Sequence, residues 1–447
     1  MAKIVAQLSR LLDQMSKSTL QDQVRKHDLA IALRDQYMEL PRSSGNPIDK
    51  ETYEALLLFA DSSSLGDDSS VSVSQVSYGD DFSAPPRRQR RSKKSQFDRD
   101  SILVDCILSK DVQKGMEFVV TMREDIFQSR KNFNSSQREG IGQNKFVNLK
   151  ELDNDLKQCL RDWFCPNMMD IRRISYDNSA PSVIESIVQK EAVHPIQNPE
   201  DLHDRLGQGK RVFALFSPLL PDKPLVFCHV ALTDEIPCTL EHAAASSQED
   251  DPKVATFYSI TNGEPGLIGL QLGLGLLKLG MRALQSSFPS INEFVTLSPI
   301  PQFKAWVESH IKNTFDENSE AYPRSAPRST KVFDNEVGCE LMHMCQLLGE
   351  DDPRSDTFLA KLEAAMQSDF GTNETQRAAE HLLFKLACQY LLQERDGRVP
   401  KCRVARFHIG NGAEVFRINS KADLSRRGMN QSYGFMVNYR YDISNVV

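Results

Sequence analysis

The sequence has 447 residues, enough for more than one domain of ordinary size. Hydrophobic residues make up 40% and charged residues 26%, which excludes a disordered chain and fits a globular one. The formal net charge of -7 leaves no general footprint for nucleic acid or an anionic membrane surface, and no run approaches the ~18 apolar residues of a membrane span.

Ile4, Val5, Leu8, Leu11 and Leu12 fall on one helical stripe, and similar patterns run through Leu29–Leu40 and Tyr53–Phe59. Helices are therefore expected over residues 1 to 60. The first 18 residues hold Lys3, Arg10 and Lys17 against Asp13 alone and lack an apolar signal core. A cytoplasmic location is expected, with the mitochondrial matrix as the alternative. From Asp61 to Arg99 the chain is rich in Ser and Asp and then basic, with Arg87–Lys94 as a charged run. Such a stretch buries too little apolar area to offset its ordering entropy, so a disordered insertion and a solvated linker are expected.

Helical pattern resumes over 101–163, which makes residues 1–165 an all-helical N-terminal domain. Residues 166–447 are expected to form a mixed α/β domain, giving an α+β chain overall. Strands are predicted at 211–216 and 225–232, separated by Pro218, Pro221 and Pro224 as in a hairpin-like turn. A strand over 254–260, a Gly-rich helix over 266–286 and a short strand at 294–297 follow. A helical excursion covers 333–395, and strand character returns at 404–408 and 435–439. His194, before Pro195, is expected to open a loop leading to a helix over 198–206, in a structural role. The nine Cys are scattered and never form Cys-x-x-Cys. They are expected to be buried reduced thiols, with no metal site.

Three strings carry candidate chemistry. In Ser259-Ile-Thr-Asn-Gly-Glu-Pro-Gly-Leu-Ile-Gly-Leu-Gln-Leu-Gly, a strand ends, glycines permit a tight turn and a helix begins. Free backbone N–H groups at such a helix start suit a pyrophosphate, whereas glycines at a close helix–strand crossing have the same appearance. In Thr296-Leu-Ser-Pro-Ile-Pro-Gln-Phe, Ser298 ends an apolar strand, where it either lies in a site or caps the helix containing Trp306. In Phe407-His-Ile-Gly-Asn-Gly-Ala-Glu, His408 ends a predicted strand before an Asn-Gly turn, and it gains weight if it meets Ser298 in space.

These strings, with Lys190-Glu-Ala-Val-His-Pro, Pro224-Leu-Val-Phe-Cys-His-Val-Ala-Leu-Thr and Met436-Val-Asn-Tyr-Arg-Tyr, resemble the malonyl-CoA decarboxylase family, in the family's order over about residues 155–442. The resemblance implies a C-terminal domain with a GNAT-like fold, and conversion of malonyl-CoA to acetyl-CoA and CO2 without a metal or organic cofactor. It places the family's catalytic Ser and His on Ser298 and His408, and its other implicated Ser and Tyr on Ser259 and Tyr441. The CoA-binding turn and helix start fall on Gly266, Leu267, Gly269, Leu270, Gln271 and Gly273. A homo-oligomer is implied, with no nucleic-acid or membrane partner. One departure is that the family typically has Glu where this chain has Gln271, and an amide does not titrate. An acyl-CoA-dependent acetyltransferase and a catalytically impaired CoA-binding protein are the competing expectations.

Overall fold

The computed structural model describes residues 2–17, 23–40, 50–61, 111–132, 143–164, 168–245, 251–314, 335–367 and 373–442. Apart from Asp61, the expected insertion at 61–99 and its basic run lie outside the described residues. The described chain divides into two compact units. The first is Met1–Asp170 with Phe216–Leu225 and Asn262–Leu272, and the second is Ile171–Leu215, Val226–Thr261 and Gly273–Val447.

The first unit is built on helices α1 (Ala2–Lys17), α2 (Gln23–Met38), α3 (Lys50–Asp61), α4 (Val112–Asn132) and α5 (Gln143–Trp163). Of the apolar stripe read from the sequence, Leu8 and Leu12 are buried and Ile4, Val5 and Leu11 half-buried; Met15 of α1 and Ala30, Leu33 and Tyr37 of α2 are buried as well. Tyr37 donates its buried hydroxyl to Asp125 of α4 at 2.8 Å. Arg123 of α4 is 2% exposed, and burial lowers its pKa although the neighbouring Asp153 opposes the shift. Its Nε donates to Asp153 Oδ1 of α5 at 2.9 Å, and its Nη1 donates to the Gly266 carbonyl at 2.6 Å. The Pro265–Leu267 turn thus packs on α4, and a Cβ on Gly266 would stand 2.1 Å from the Val120 carbonyl oxygen.

The second unit is organised around a mixed sheet. Its strands are β1 (Asp170–Ile174), β2 (Lys210–Phe216), β3 (Val226–Thr233), β4 (Val254–Asn262), β5 (Glu293–Thr296), β6 (Ser298–Pro299), β9 (Glu414–Asn419) and β10 (Met436–Tyr441). The order is β1-β2-β3-β4-β5-β10-β6, with β9 paired to β10. The β2–β3 hairpin is antiparallel, as its proline-rich connection predicts. Strands β4 and β5 are parallel and are connected through α9 (Leu272–Ser287). Strand β10 runs antiparallel to β5, β6 and β9. The expected α+β class, helices first and a mixed sheet afterwards, is the observed one. The helical excursion is also present, as α11 (Asn335–Leu348), α12 (Asp356–Ala365) and α13 (Asn373–Cys388), followed by a π-helical turn and a short hairpin of β7 (Arg395–Asp396) and β8 (Val399–Pro400).

Three expectations are corrected, and two strands are added. The predicted strand at 404–408 is helix α14 (Arg403–Gly410), whose buried residues Ala405 and His408 are three apart, a helical spacing. The Gly-rich helix begins at Leu272, because Gly269 (φ +86°) and Gln271 (φ +60°) hold a left-handed turn before it. Strands β1 and β9, short and partly exposed, carry no apolar run and were not foreseen. Of the seven described cysteines, all free, only Cys228, Cys345 and Cys402 are buried, while Cys238 and Cys339 are exposed.

The close approach at Gly266 yields a stability prediction. Gly266→Ala forces a shift of backbone against backbone and should cost about 1–3 kcal/mol, in the range of overpacked cores. Urea unfolding of the two proteins measures it, and unchanged stability would show that the turn yields freely.

Candidate active site

Ser298 sits beside an interruption in the sheet. Strand β10 pairs with β5 through Arg440↔Val295 and Tyr441↔Phe294, and with β6 through Val437↔Ser298 and Met436↔Pro299. Leu297 belongs to neither strand; its amide bonds instead to the Phe257 carbonyl of β4 at 3.0 Å. Across the gap, side chains replace the ladder. The Tyr439 amide donates to Thr296 Oγ1 at 3.2 Å, and Asn438 Nδ2 donates to the Thr296 carbonyl at 2.8 Å. Asn438 is fully buried and satisfied: Nδ2 also donates to the Pro237 carbonyl, while Oδ1 accepts from Arg417 Nε and Asn419 Nδ2. Ser298 does not cap a helix; its hydroxyl donates to Thr296 Oγ1 at 2.9 Å.

His408 occupies the last turn of α14. Its carbonyl accepts from the Asn411 and Ala413 amides, so the foreseen Asn-Gly turn closes a helix rather than a strand. The imidazole stacks on the Tyr439 ring at 4.6 Å between centroids. His408 Nε2 lies 3.2 Å from Ser298 Oγ, and Nδ1 lies 2.8 Å from the Tyr441 hydroxyl. Ser298, His408 and Tyr441, three of the four expected catalytic residues, therefore form one hydrogen-bonded chain. Burial pushes the His408 pKa down to about 3 and the Tyr441 pKa well up, so both are neutral near pH 7. The histidine is thus not poised near its ordinary pKa of ~6.5. Its ring is neutral and carries a single N–H.

The fourth residue, Ser259, is held elsewhere. Its hydroxyl bonds to both carboxylate oxygens of Glu191, at 2.9 and 3.0 Å. Glu191 follows helix α6 (Pro181–Lys190), and its Oε1 also accepts from the Val193 and His194 amides and from Thr261 Oγ1. Its Oε2 lies 3.1 Å from His229 Nε2 of β3, with both side chains buried. Burial pushes the Glu191 carboxyl up, but His229, the His194 amide and Ser259 outweigh it and bring its pKa to about 2. Glu191, His229 and Thr261 were missed as a group. Glu191 and His194 were visible as a distinctive string, but no spacing in the sequence joins residue 191 to residues 229 and 259. The His194 carbonyl accepts from Arg205 Nη1, and burial lowers the pKa of its ring to about 4.

Within the first unit, the Gly-rich turn has its own surroundings. Gly266 and Leu267 are buried and Gly269 is exposed. Leu270 is half-buried; Gly273, which belongs to the second unit, is half-buried too, and a Cβ on it would meet the Phe407 ring of the same unit at 3.3 Å. Gln271 is exposed. The Lys157 ammonium of α5 stands about where a Gly269 Cβ would touch it, 3.1 Å away. Among the described residues no group of three or more His, Cys, Asp and Glu is placed to hold a metal ion.

The lowered His408 pKa carries a sign for stability. The unfolded chain takes up this proton near pH ~6.5 and the folded one near about 3. The contribution of neutral His408 is full above ~6.5 and is lost as pH falls toward 3, by at most ~1.4 kcal/mol per pH unit. His194 titrates with the same sign. The measurement is therefore the difference in urea midpoint between wild type and His408→Asn from pH 7 to 4. The expected result is a shallower slope in the variant; equal slopes would mean that His408 is not buried as a neutral ring.

A family model described as "Malonyl-CoA decarboxylase C-terminal domain" matches residues 167–447, and one described as "Malonyl-CoA decarboxylase N-terminal domain" matches residues 109–164. The chain is 30% identical over 338 residues to the mitochondrial malonyl-CoA decarboxylase of Anser anser anser, covering 74% of this chain and 62% of the relative. It is 29% identical over 333 residues to that of Rattus norvegicus, covering 73% and 62%. The match thus spans less than two thirds of these relatives' length. Its fold is similar to the crystal structures of malonyl-CoA decarboxylase from Cupriavidus metallidurans (TM-score 0.68, 25% identity, 99% of this chain and 94% of that one) and from Agrobacterium vitis (0.64, 25%, 98% and 93%). Among the described residues no helix is long and apolar enough to cross a membrane. Since the C-terminal model alone matches more than half of it, the chain belongs to the malonyl-CoA decarboxylase family.

Proposed function

We propose that the chain decarboxylates malonyl-CoA to acetyl-CoA and CO2. The observation that carries this reading is the buried chain Ser298–His408–Tyr441, with its neutral imidazole. When the C–C bond to the carboxylate breaks, CO2 departs and its electron pair moves into the thioester as an enolate. Donors aimed at the thioester oxygen stabilise that charge as it develops, and they do so best where water is scarce. Ser298, backed by His408, supplies such a donor. The enolate carbon then takes a proton that originates in solvent, completing the acetyl group.

The turn from Gly266 to Gly273, with Leu267, Leu270 and Gln271, is the place for the CoA pyrophosphate, and Lys157 adds a positive charge beside Gly269. Ser259 is poorly suited to contact the malonyl carboxylate directly, because its hydroxyl faces the Glu191 carboxylate. A positioning role under Glu191 fits it better. A second reading, a CoA-binding member with impaired chemistry, rests on Gln271, which has no titrating group where the family typically has Glu. A homo-oligomer and a cytoplasmic location complete the proposal. The mitochondrial matrix is the alternative, supported by the similarity to the mitochondrial enzymes of Anser anser anser and Rattus norvegicus.

The test is acetyl-CoA and CO2 formation from malonyl-CoA by the purified protein. Ser298→Ala and His408→Ala should each lower kcat by about 100-fold or more, as for loss of an oxyanion donor or proton carrier. Wild-type turnover retained in both variants would refute the reading. An inert wild type made active by Gln271→Glu would establish the second one. Lys157→Ala should raise KM for malonyl-CoA about tenfold and leave KM for malonyl-pantetheine, which lacks the pyrophosphate, unchanged.

A further inference from the structure

Ser298 has one hydroxyl proton, and the geometry gives it to Thr296 Oγ1 at 2.9 Å. The 3.2 Å contact between Ser298 Oγ and His408 Nε2 is then a hydrogen bond only if the imidazole donates, which places its proton on Nε2. Nδ1 is left as a bare acceptor, so at 2.8 Å the Tyr441 hydroxyl must donate to it. Every bond in the chain then points one way: Tyr441 to His408 to Ser298 to Thr296. Donors aligned in this way polarise one another, and the effect is larger where the dielectric is low.

We propose that Thr296 is a positioning residue for the decarboxylation reaction, setting the direction of this chain by accepting the Ser298 proton. This inference rests on the reading of Ser298 and His408 given under Proposed function. The fully buried Thr296 is fixed for the task at both ends. Its carbonyl is held by Asn438 Nδ2, and its Oγ1 by the Tyr439 amide across the break between β5 and β6. In the resting site the hydroxyl of Ser298 lies on Thr296. A thioester oxygen that gains charge takes Thr296's place as the acceptor, and the donors behind Ser298 are already aligned. No covalent step is involved, and no proton needs to leave Ser298. Without the Thr296 acceptor the chain is free to reverse. Ser298 would donate to Nε2, His408 would carry its proton on Nδ1 and donate to Tyr441, and Ser298 would have no proton for an oxyanion.

The experiment is long-range proton–nitrogen NMR on the full chain carrying 15N-histidine, with His408→Asn to assign the signal, alongside steady-state kinetics. The wild type should show His408 protonated on Nε2. Thr296→Val, which keeps the shape and removes the acceptor, should move the proton to Nδ1. It should also lower kcat by about 10- to 100-fold with KM for malonyl-CoA unchanged. Thr296→Ser, which keeps a hydroxyl in the strand, should recover the Nε2 form and most of kcat. If Thr296→Val does not fold, the wild type and Thr296→Ser still decide the matter. An Nδ1-protonated His408 in the wild type, or Thr296→Val with unchanged tautomer and kcat, overturns the proposal. Full turnover in Ser298→Ala instead overturns the reading of the catalytic pair, and the tautomer, which needs no turnover, is judged separately.

Discussion

Removing serine, histidine and tyrosine from water obliges each of their protons to find a partner, because an unpaired polar atom in a protein interior costs about 1–3 kcal/mol. Ser298 is 6% exposed, His408 and Tyr441 3% each, and Thr296 not at all. Their hydrogen bonds are therefore the condition on which the surrounding sheet can close over them. The break at Leu297 follows from the same condition, since it frees Thr296 and Asn438 to serve the site as well as the ladder. Tyr439 is the exception: its ring supports His408, but its own hydroxyl is buried without a partner among the described residues.

Glu191 solves a similar problem with charge. A buried carboxylate persists only if it is paired and hydrogen-bonded. Here the donors are two backbone amides and two hydroxyls on β4, and the ring of His229 on β3 lies 3.1 Å from the carboxylate. The result ties the loop after α6 to the end of β4, the strand that leads toward the Gly-rich turn. Ser259 is part of this anchor.

Glycine serves two purposes in that turn. At Gly266 a side chain is excluded by the backbone of α4, so packing alone accounts for the residue. At Gly269 the backbone is left-handed and the surface is open, with Lys157 nearby, which is a position where an anionic group can approach.

The sequence by itself determined the helical stripes of the first unit, the β2–β3 hairpin and strands β4, β5 and β10. In each of these the hydrophobic period is set by local geometry, 3.6 residues for a helix and 2 for a strand. It also supplied Ser298, His408 and Tyr441, although their link came from resemblance, since residues 298, 408 and 441 share no local pattern. Tertiary structure decided the rest. The run Val404–His408 is compatible with strand or helix, and packing of Ala405 and His408 chose helix. The pairing of Ser259 with Glu191, and of Ser298 with His408, depends on which elements the fold brings side by side. The pKa of His408 was likewise beyond the sequence, because desolvation is a property of the surrounding chain and not of the residue.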